Sequence, residues 1–237
     1  MLAERDFSNP LLWAVVIGWI MTVVLHEFAH GFVAMLGGDY TIRERGGLTL
    51  NPIQYIDPIN SIVLPAVFVM MGGIPLPGGA TFVRRDLIRS PFWQSAVSLA
   101  GPLTNFLLFL LMAIPLHPRF EWLKLDEGPS AWTNFQVFLG ASATLQFVAV
   151  ILNLVPIPPL DGFGALSPFL AQDLRARLLN SASARVGLLI LFLVVWQIPQ
   201  VGKAIIDAQS SVLAHLGFPY RNRLFFIWAY DHALFNG

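Results

Sequence analysis

Leu25-His26-Glu27-Phe28-Ala29-His30-Gly31-Phe32-Val33-Ala34 lies inside an otherwise largely apolar run from residue 11 to residue 36. Two imidazoles and a carboxylate are costly on an apolar helix, so their presence there needs a physical reason. On a helix, His26 and His30 are one turn plus a fraction apart, and both rings project from one face, where they can close on a single metal ion. Glu27 adjoins the first of them, placed to take a proton from an attacking water. This is the HExxH pattern of zinc hydrolases. A hydrogen-bonded structural cluster, or part of an ion or proton path, draws on the same residue types. A zinc site also needs a third ligand, and the rest of the chain is read for it.

The 237-residue chain is 56% hydrophobic and 12% charged, with a mean hydropathy of +0.66. Soluble domains carry about 25% charged residues, so this composition indicates an integral membrane protein. Its 14 basic and 14 acidic residues leave no net charge, and no basic excess points to nucleic acid as a partner. With no cysteine, disulfides and thiolate zinc sites are excluded, and a metal must be held by histidine and carboxylate. Glu4, Arg5 and Asp6 do not form the basic start of a cleaved signal, so the apolar run behind them is expected to stay in the mature protein. No internal repeat or low-complexity tract divides the chain. It reads as a single membrane domain over residues 1–237.

Residues 11–36, 92–116, 135–155 and 186–206 are each long enough to span a bilayer core, which takes roughly 20 helical residues. Residues 59–73 are apolar but short and contain Pro65, which fits a re-entrant or tilted segment. Arg43, Arg45, Arg84, Arg85, Arg89, Arg175, Arg177 and Arg185 all fall in loops that this arrangement puts on one side. That asymmetry assigns those loops to the cytoplasm and the amino terminus to the outside. Gly46 and Gly47, between two short alternating runs in residues 40–52, predict a small β-hairpin. The aromatic run over residues 224–230 is expected to lie flat at the membrane interface. The fold class is therefore an all-α membrane protein with about four transmembrane helices, a re-entrant or short membrane segment and a small β-hairpin.

His26 and His30 fall near the inner end of the first span. The third span also ends near the inner face, broken by Pro156, Pro158 and Pro159 just before Asp161 and Gly162. Asp161 thus reaches the depth of the two histidines, and Gly162 permits a tight turn that points its carboxylate inward. An Asx turn or helix cap is the other reading of this Asp-Gly pair.

Three motifs in this order, His26-Glu27-Phe28-Ala29-His30, Ala100-Gly101-Pro102-Leu103-Thr104-Asn105 and Asn153-Leu154-Val155-Pro156-Ile157-Pro158-Pro159-Leu160-Asp161-Gly162, resemble those of the site-2 proteases, a family of intramembrane zinc metalloproteases. Thr49-Leu50-Asn51-Pro52 through Asp57-Pro58 also resembles a stretch of bacterial members. The resemblance covers about residues 10–170, the expected catalytic core, followed by a C-terminal helix and tail at about 185–237. It implies one Zn2+ per chain held by His26, His30 and Asp161, with Glu27 as the general base. It further implies a bacterial inner-membrane protein whose site lies nearer the cytoplasm. Many members carry a PDZ domain, and no inserted stretch here is long enough for one. Residues 72–80, rich in Gly and Pro, depart from the lysine-containing loop common in relatives.

The expected activity is hydrolysis of a peptide bond in or beside a transmembrane segment, so the partners are a transmembrane peptide or membrane-protein substrate and the lipid bilayer. The peptide must unwind before attack, and the 40–52 hairpin is expected to receive it as an added strand. Asn105 and Asn153 are candidates to hold its backbone. Packing against Pro102 for Asn105, and helix capping for Asn153, are the plainer roles. A divalent-metal or proton transporter, or an inactive receptor of the same fold, would use similar residues, although a transporter is expected to spread its ligands along a pathway.

Overall fold

The structure, a computed structural model, describes residues 8–63, 65–66, 78–125, 128–178, 187 and 198–235. Helix α1 (Pro10–Gly37) starts where Asn9 Oδ1 accepts the Leu11 N–H at 2.9 Å, with Pro10 in the first turn where no N–H is missed. It stops at Gly38, whose φ of +125° strains any residue with a Cβ, and the Asp39 N–H folds back onto Ala34 O at 3.0 Å. A single turn, α2 (Thr41–Glu44), follows. Helix α3 (Pro91–Ala113) is capped by the Ser90 hydroxyl and prolonged by a 3-10 turn, Ile114–Leu116. Helix α4 (Asn134–Asn153) opens on a capping box in which Thr133 and Gln136 satisfy each other's backbone N–H. It ends, as the prolines require, just before Pro156. Then come α5 (Asp161–Leu166), α6 (Gln172–Leu178), α7 (Pro199–His215) and α8 (Tyr220–Phe235).

Three of these helices, α1, α3 with its 3-10 extension, and α4, are long and apolar enough to cross a membrane. Helices α1 and α3 are antiparallel: Gly37 O accepts the Arg89 N–H at 2.9 Å, while His30 bonds Val97 and His26 bonds Asn105. Helix α4 runs parallel to α1, with Gln146 beside Thr22 and Asp161 beside His30. These helices are joined by close packing and by buried hydrogen bonds such as that from Gln146 to Thr22. Glycines allow the approach. A Cβ on Gly140 would fall 2.6 Å from the Phe225 ring of α8, and one on Gly18 would fall 3.1 Å from the Phe138 ring of α4.

The expected 40–52 hairpin is not formed, and no strand occurs among the described residues. Asp39 overrides the alternation of that stretch. Its carboxylate accepts the Thr41 hydroxyl at 2.5 Å and the Arg45 guanidinium at 2.9 Å, while its carbonyl takes the Ile42 N–H, winding α2 instead. The aromatic tail also differs from expectation. Phe225, Phe226, Ala229, Ala233 and Leu234 of α8 are buried in the cluster that α8 shares with α4, so that face is covered by protein. Residues 64 and 67–73 of the expected short membrane segment, and 186 and 188–197 of the expected fourth span, lie outside the described residues. Because α1 ends and α3 begins at one end of the bundle, the chain between them makes no net crossing.

Candidate metal centre

Three side chains from two distant parts of the chain meet at the C-terminal half of α1. His26 Nε2 and His30 Nε2 are 3.0 Å apart, and the Asp161 carboxylate lies 3.2 Å from the first and 3.3 Å from the second. All three can offer one ligand atom to a common ion. Both histidines are buried and Asp161 is mostly so. Leu160, not Asp161, holds the N-cap position of α5, and the Asp161 carboxylate turns to the histidines, which sets aside the capping role.

The opposite ring nitrogens define what this cluster wants. His26 Nδ1 lies 3.1 Å from Asn105 Oδ1, and His30 Nδ1 lies 2.7 Å from the Val97 carbonyl. Both partners are acceptors, so both Nδ1 atoms carry the proton and a neutral ring presents a lone pair at Nε2. With both rings neutral, two lone pairs and a carboxylate converge with no donor among them, an arrangement that a bound cation satisfies and that otherwise calls for a proton on one of the rings. Tetrahedral zinc with bonds of about 2.05 Å would hold its ligand atoms about 3.3 Å apart, close to the distances observed. The donor set therefore fits zinc in both chemistry and spacing.

Glycine makes room for it. A Cβ on Gly101 of α3 would lie 2.4 Å from atoms of both imidazoles, so α3 can back the pair only with glycine there. Val97, Gly101 and Asn105 follow at four-residue intervals along α3 and form the wall that fixes the two rings. Gly162 has another reason than the tight turn read from the sequence. Its backbone is helical, and a Cβ there would fall 2.1 Å from Leu154 O, so glycine lets α5 start directly beneath the end of α4.

Glu27 is buried one residue along from His26. A non-helical strap over residues 78–83 covers it: Gly79 is so close that a Cβ would lie 2.9 Å from Glu27 Cγ, and the Thr81 hydroxyl donates to Glu27 O at 3.0 Å. Asp39 fastens the far end of the strap by accepting the Arg84 N–H at 2.8 Å. Burial pushes the Asp39 carboxyl up, but the Thr41 hydroxyl, the Arg84 N–H and the Arg45 guanidinium together hold it below the usual carboxylate range.

The structure brings His26, His30 and Asp161 together and sets Asn105 behind His26. Asn153 ends α4, half-buried, and its side chain makes no hydrogen bond among the described residues. Val97 was not singled out from the sequence, and Gly101 was read only as part of the second motif, not as the wall behind the histidines. Gly101 carried a signal, standing four residues before Asn105 on the same helix face, whereas a backbone carbonyl such as that of Val97 carries none.

Among curated proteins, the chain is 40% identical over 173 residues, 71% of its length, to "Putative zinc metalloprotease Rip2" of Mycolicibacterium smegmatis. A protein of the same name from Mycobacterium tuberculosis is 39% identical over 191 residues, 78% of the chain. "Putative zinc metalloprotease YwhC" of Bacillus subtilis is 30% identical over 201 residues, covering 81% of the chain and 84% of the relative. The chain spans 63% of the length of the first relative and 70% of the second. No family model matches the chain, and no solved structure matches it.

Proposed function

Because the chain belongs to the site-2 protease family of zinc metalloproteases, we propose that it is a zinc-dependent endopeptidase that cleaves membrane-protein substrates in or beside their transmembrane segments. The observation that carries this reading is the convergence of His26 Nε2, His30 Nε2 and the Asp161 carboxylate with both Nδ1 atoms already engaged. One zinc per chain is held by these three residues. The site lies within the bacterial inner membrane, nearer the cytoplasmic face, where Arg43, Arg45, Arg84, Arg85 and Arg89 flank the ends of α1 and α3.

When bound, zinc supplies Lewis acidity, which makes water a stronger acid and polarises a peptide carbonyl. Glu27 accepts the proton of the attacking water and delivers it to the leaving amine. Asn105, Val97 and Gly101 keep the imidazoles fixed while this happens. The Asn105 carbonyl is committed to His26, so the substrate backbone is placed on Asn153, whose amide is free to pair with it. Asp161 enters from the α4–α5 junction, the side from which cytoplasmic water has the shortest path.

The test pairs metal content with turnover on a transmembrane substrate in detergent. Glu27→Gln is expected to keep about one zinc per chain and to lower turnover by roughly 100-fold or more, the usual worth of a general base. A wild-type protein that stays metal-free after zinc is supplied, or a Glu27→Gln variant that cleaves at the wild-type rate, would overturn the proposal.

A further inference from the structure

A cavity of about 210 Å³ opens beside the strap that covers Glu27. Ile42, Tyr55, Ala80 and Phe82 form its apolar walls, with the Gln54 amide and Arg45 at its polar edge. Ligand pockets that enclose whole small molecules run to roughly 300 Å³ and more, so this one suits a single side chain.

Two of its walls are fixed. Ile42 and Tyr55 are buried, and the Tyr55 hydroxyl donates to Thr49 O at 2.7 Å while the Tyr55 carbonyl accepts the Ala80 N–H at 3.0 Å. Arg45 brings no call for an anion. Its guanidinium is spent on the Asp39 carboxylate at 2.9 Å, the Thr41 hydroxyl at 2.8 Å and the Phe82 carbonyl at 2.6 Å. What remains for an occupant is apolar surface and one amide.

The place of the cavity gives it a role. Gly79 touches Glu27 Cγ and Thr81 bonds Glu27 O, and Ala80 and Thr81 are themselves part of the cavity lining. Two residues of chain reach at most about 7 Å. A peptide that lies along the strap, with its scissile carbonyl at the Glu27 side chain beside Gly79, therefore brings a side chain to the opening at Ala80 and Thr81 within one or two residues of the cut.

We infer that this cavity is a specificity subsite that accepts one medium-sized apolar side chain of the substrate, one or two residues from the bond cleaved. The inference rests on the metalloprotease reading above and adds to it the class of residue selected. An alanine leaves the cavity unfilled, and a carboxylate finds no free cation in it.

The experiment uses the full chain, zinc-loaded in detergent, and a series of short peptide hydroxamates that differ only in the side chain next to the zinc-binding group. Affinities are read by calorimetry for the wild type, for Ala80→Phe, which plugs the cavity, and for Ile42→Ala, which enlarges it. Zinc content and size exclusion check each variant for folding. The wild type is expected to bind the leucyl compound at least about tenfold more tightly than the alanyl or aspartyl one, within the range a hydrophobic pocket gives for a few methylenes. Ala80→Phe should shrink that ratio below about threefold, and Ile42→Ala should move the optimum from leucyl to phenylalanyl. Binding without side-chain preference, or a preference unchanged in both variants, overturns the subsite and leaves the protease reading standing. If the zinc-loaded wild type binds none of the hydroxamates, both fall.

Discussion

Two buried polar clusters sit one helical turn apart on α1, and they differ in the balance of donors and acceptors. Around Thr22 every polar contact pairs a donor with an acceptor. Gln146 Nε2 donates to Thr22 Oγ1 at 2.8 Å, and that hydroxyl donates to Trp19 O at 2.8 Å. The same pattern recurs towards the C-terminal helices, where Gln209 Nε2 donates to Thr144 Oγ1 and Thr144 donates to Phe226 O. At His26, His30 and Asp161, with both rings neutral, three acceptors converge with nothing to donate to them. The first arrangement joins helices by donor–acceptor pairs and leaves over only Gln146 Oε1 and Gln209 Oε1, one in each group; the second turns three acceptors onto one point, where a cation can satisfy all of them. Convergence of acceptors, more than polarity or burial, separates the chemical cluster from the structural one here.

That contrast can be broken from either side. Asp161→Ala removes one of three acceptors and is expected to take zinc from about one per chain to below about one tenth, with loss of activity, measured by elemental analysis of the purified protein. Gly101→Ala forces a methyl against both rings, and zinc affinity should fall about 100-fold in competition with a chelator. Asn105→Leu leaves the ligands in place but frees the His26 ring, and the loss should be about tenfold, the lower end for a residue that orients a ligand. Gln146→Leu should cost only about 1 kcal/mol of unfolding free energy with zinc content unchanged, because hydrogen bonds between membrane helices average well under 2 kcal/mol. If Gln146→Leu lost zinc as readily as Asn105→Leu, the two clusters would be one and the comparison would collapse.

The site was more legible in the sequence than the loops around it. His26 and His30 are readable because helical spacing is a local property, and Asp161 because three prolines stop α4 at the right depth. The wall behind the rings is different. Asn105 reads as a packing residue or a substrate contact until its Oδ1 is seen 3.1 Å from His26 Nδ1, and nothing marks Val97, since every residue carries a carbonyl. Around Gly46 the alternation is real, but a buried Asp39 that gathers Thr41, Arg45 and Arg84 outweighs strand propensity. For α8, a sequence window cannot tell an aromatic face turned to lipid from one covered by a neighbouring helix. Gly140 of α4, which admits Phe225 and Ala229, settles that only in three dimensions.

The wall on α3 also sets an order of events during synthesis. Helix α1 is made first, carrying two imidazoles and a carboxylate whose partners do not yet exist. The groups that receive the two Nδ1 atoms are made 67 and 79 residues later, on a helix that runs in the opposite direction. Asp161 follows only after α4 is complete. Metal capture is therefore the last step of assembly, and a nascent chain arrested before Asp161 should hold its histidines oriented yet bind zinc weakly. Loading with metal then reports that all three spans have met.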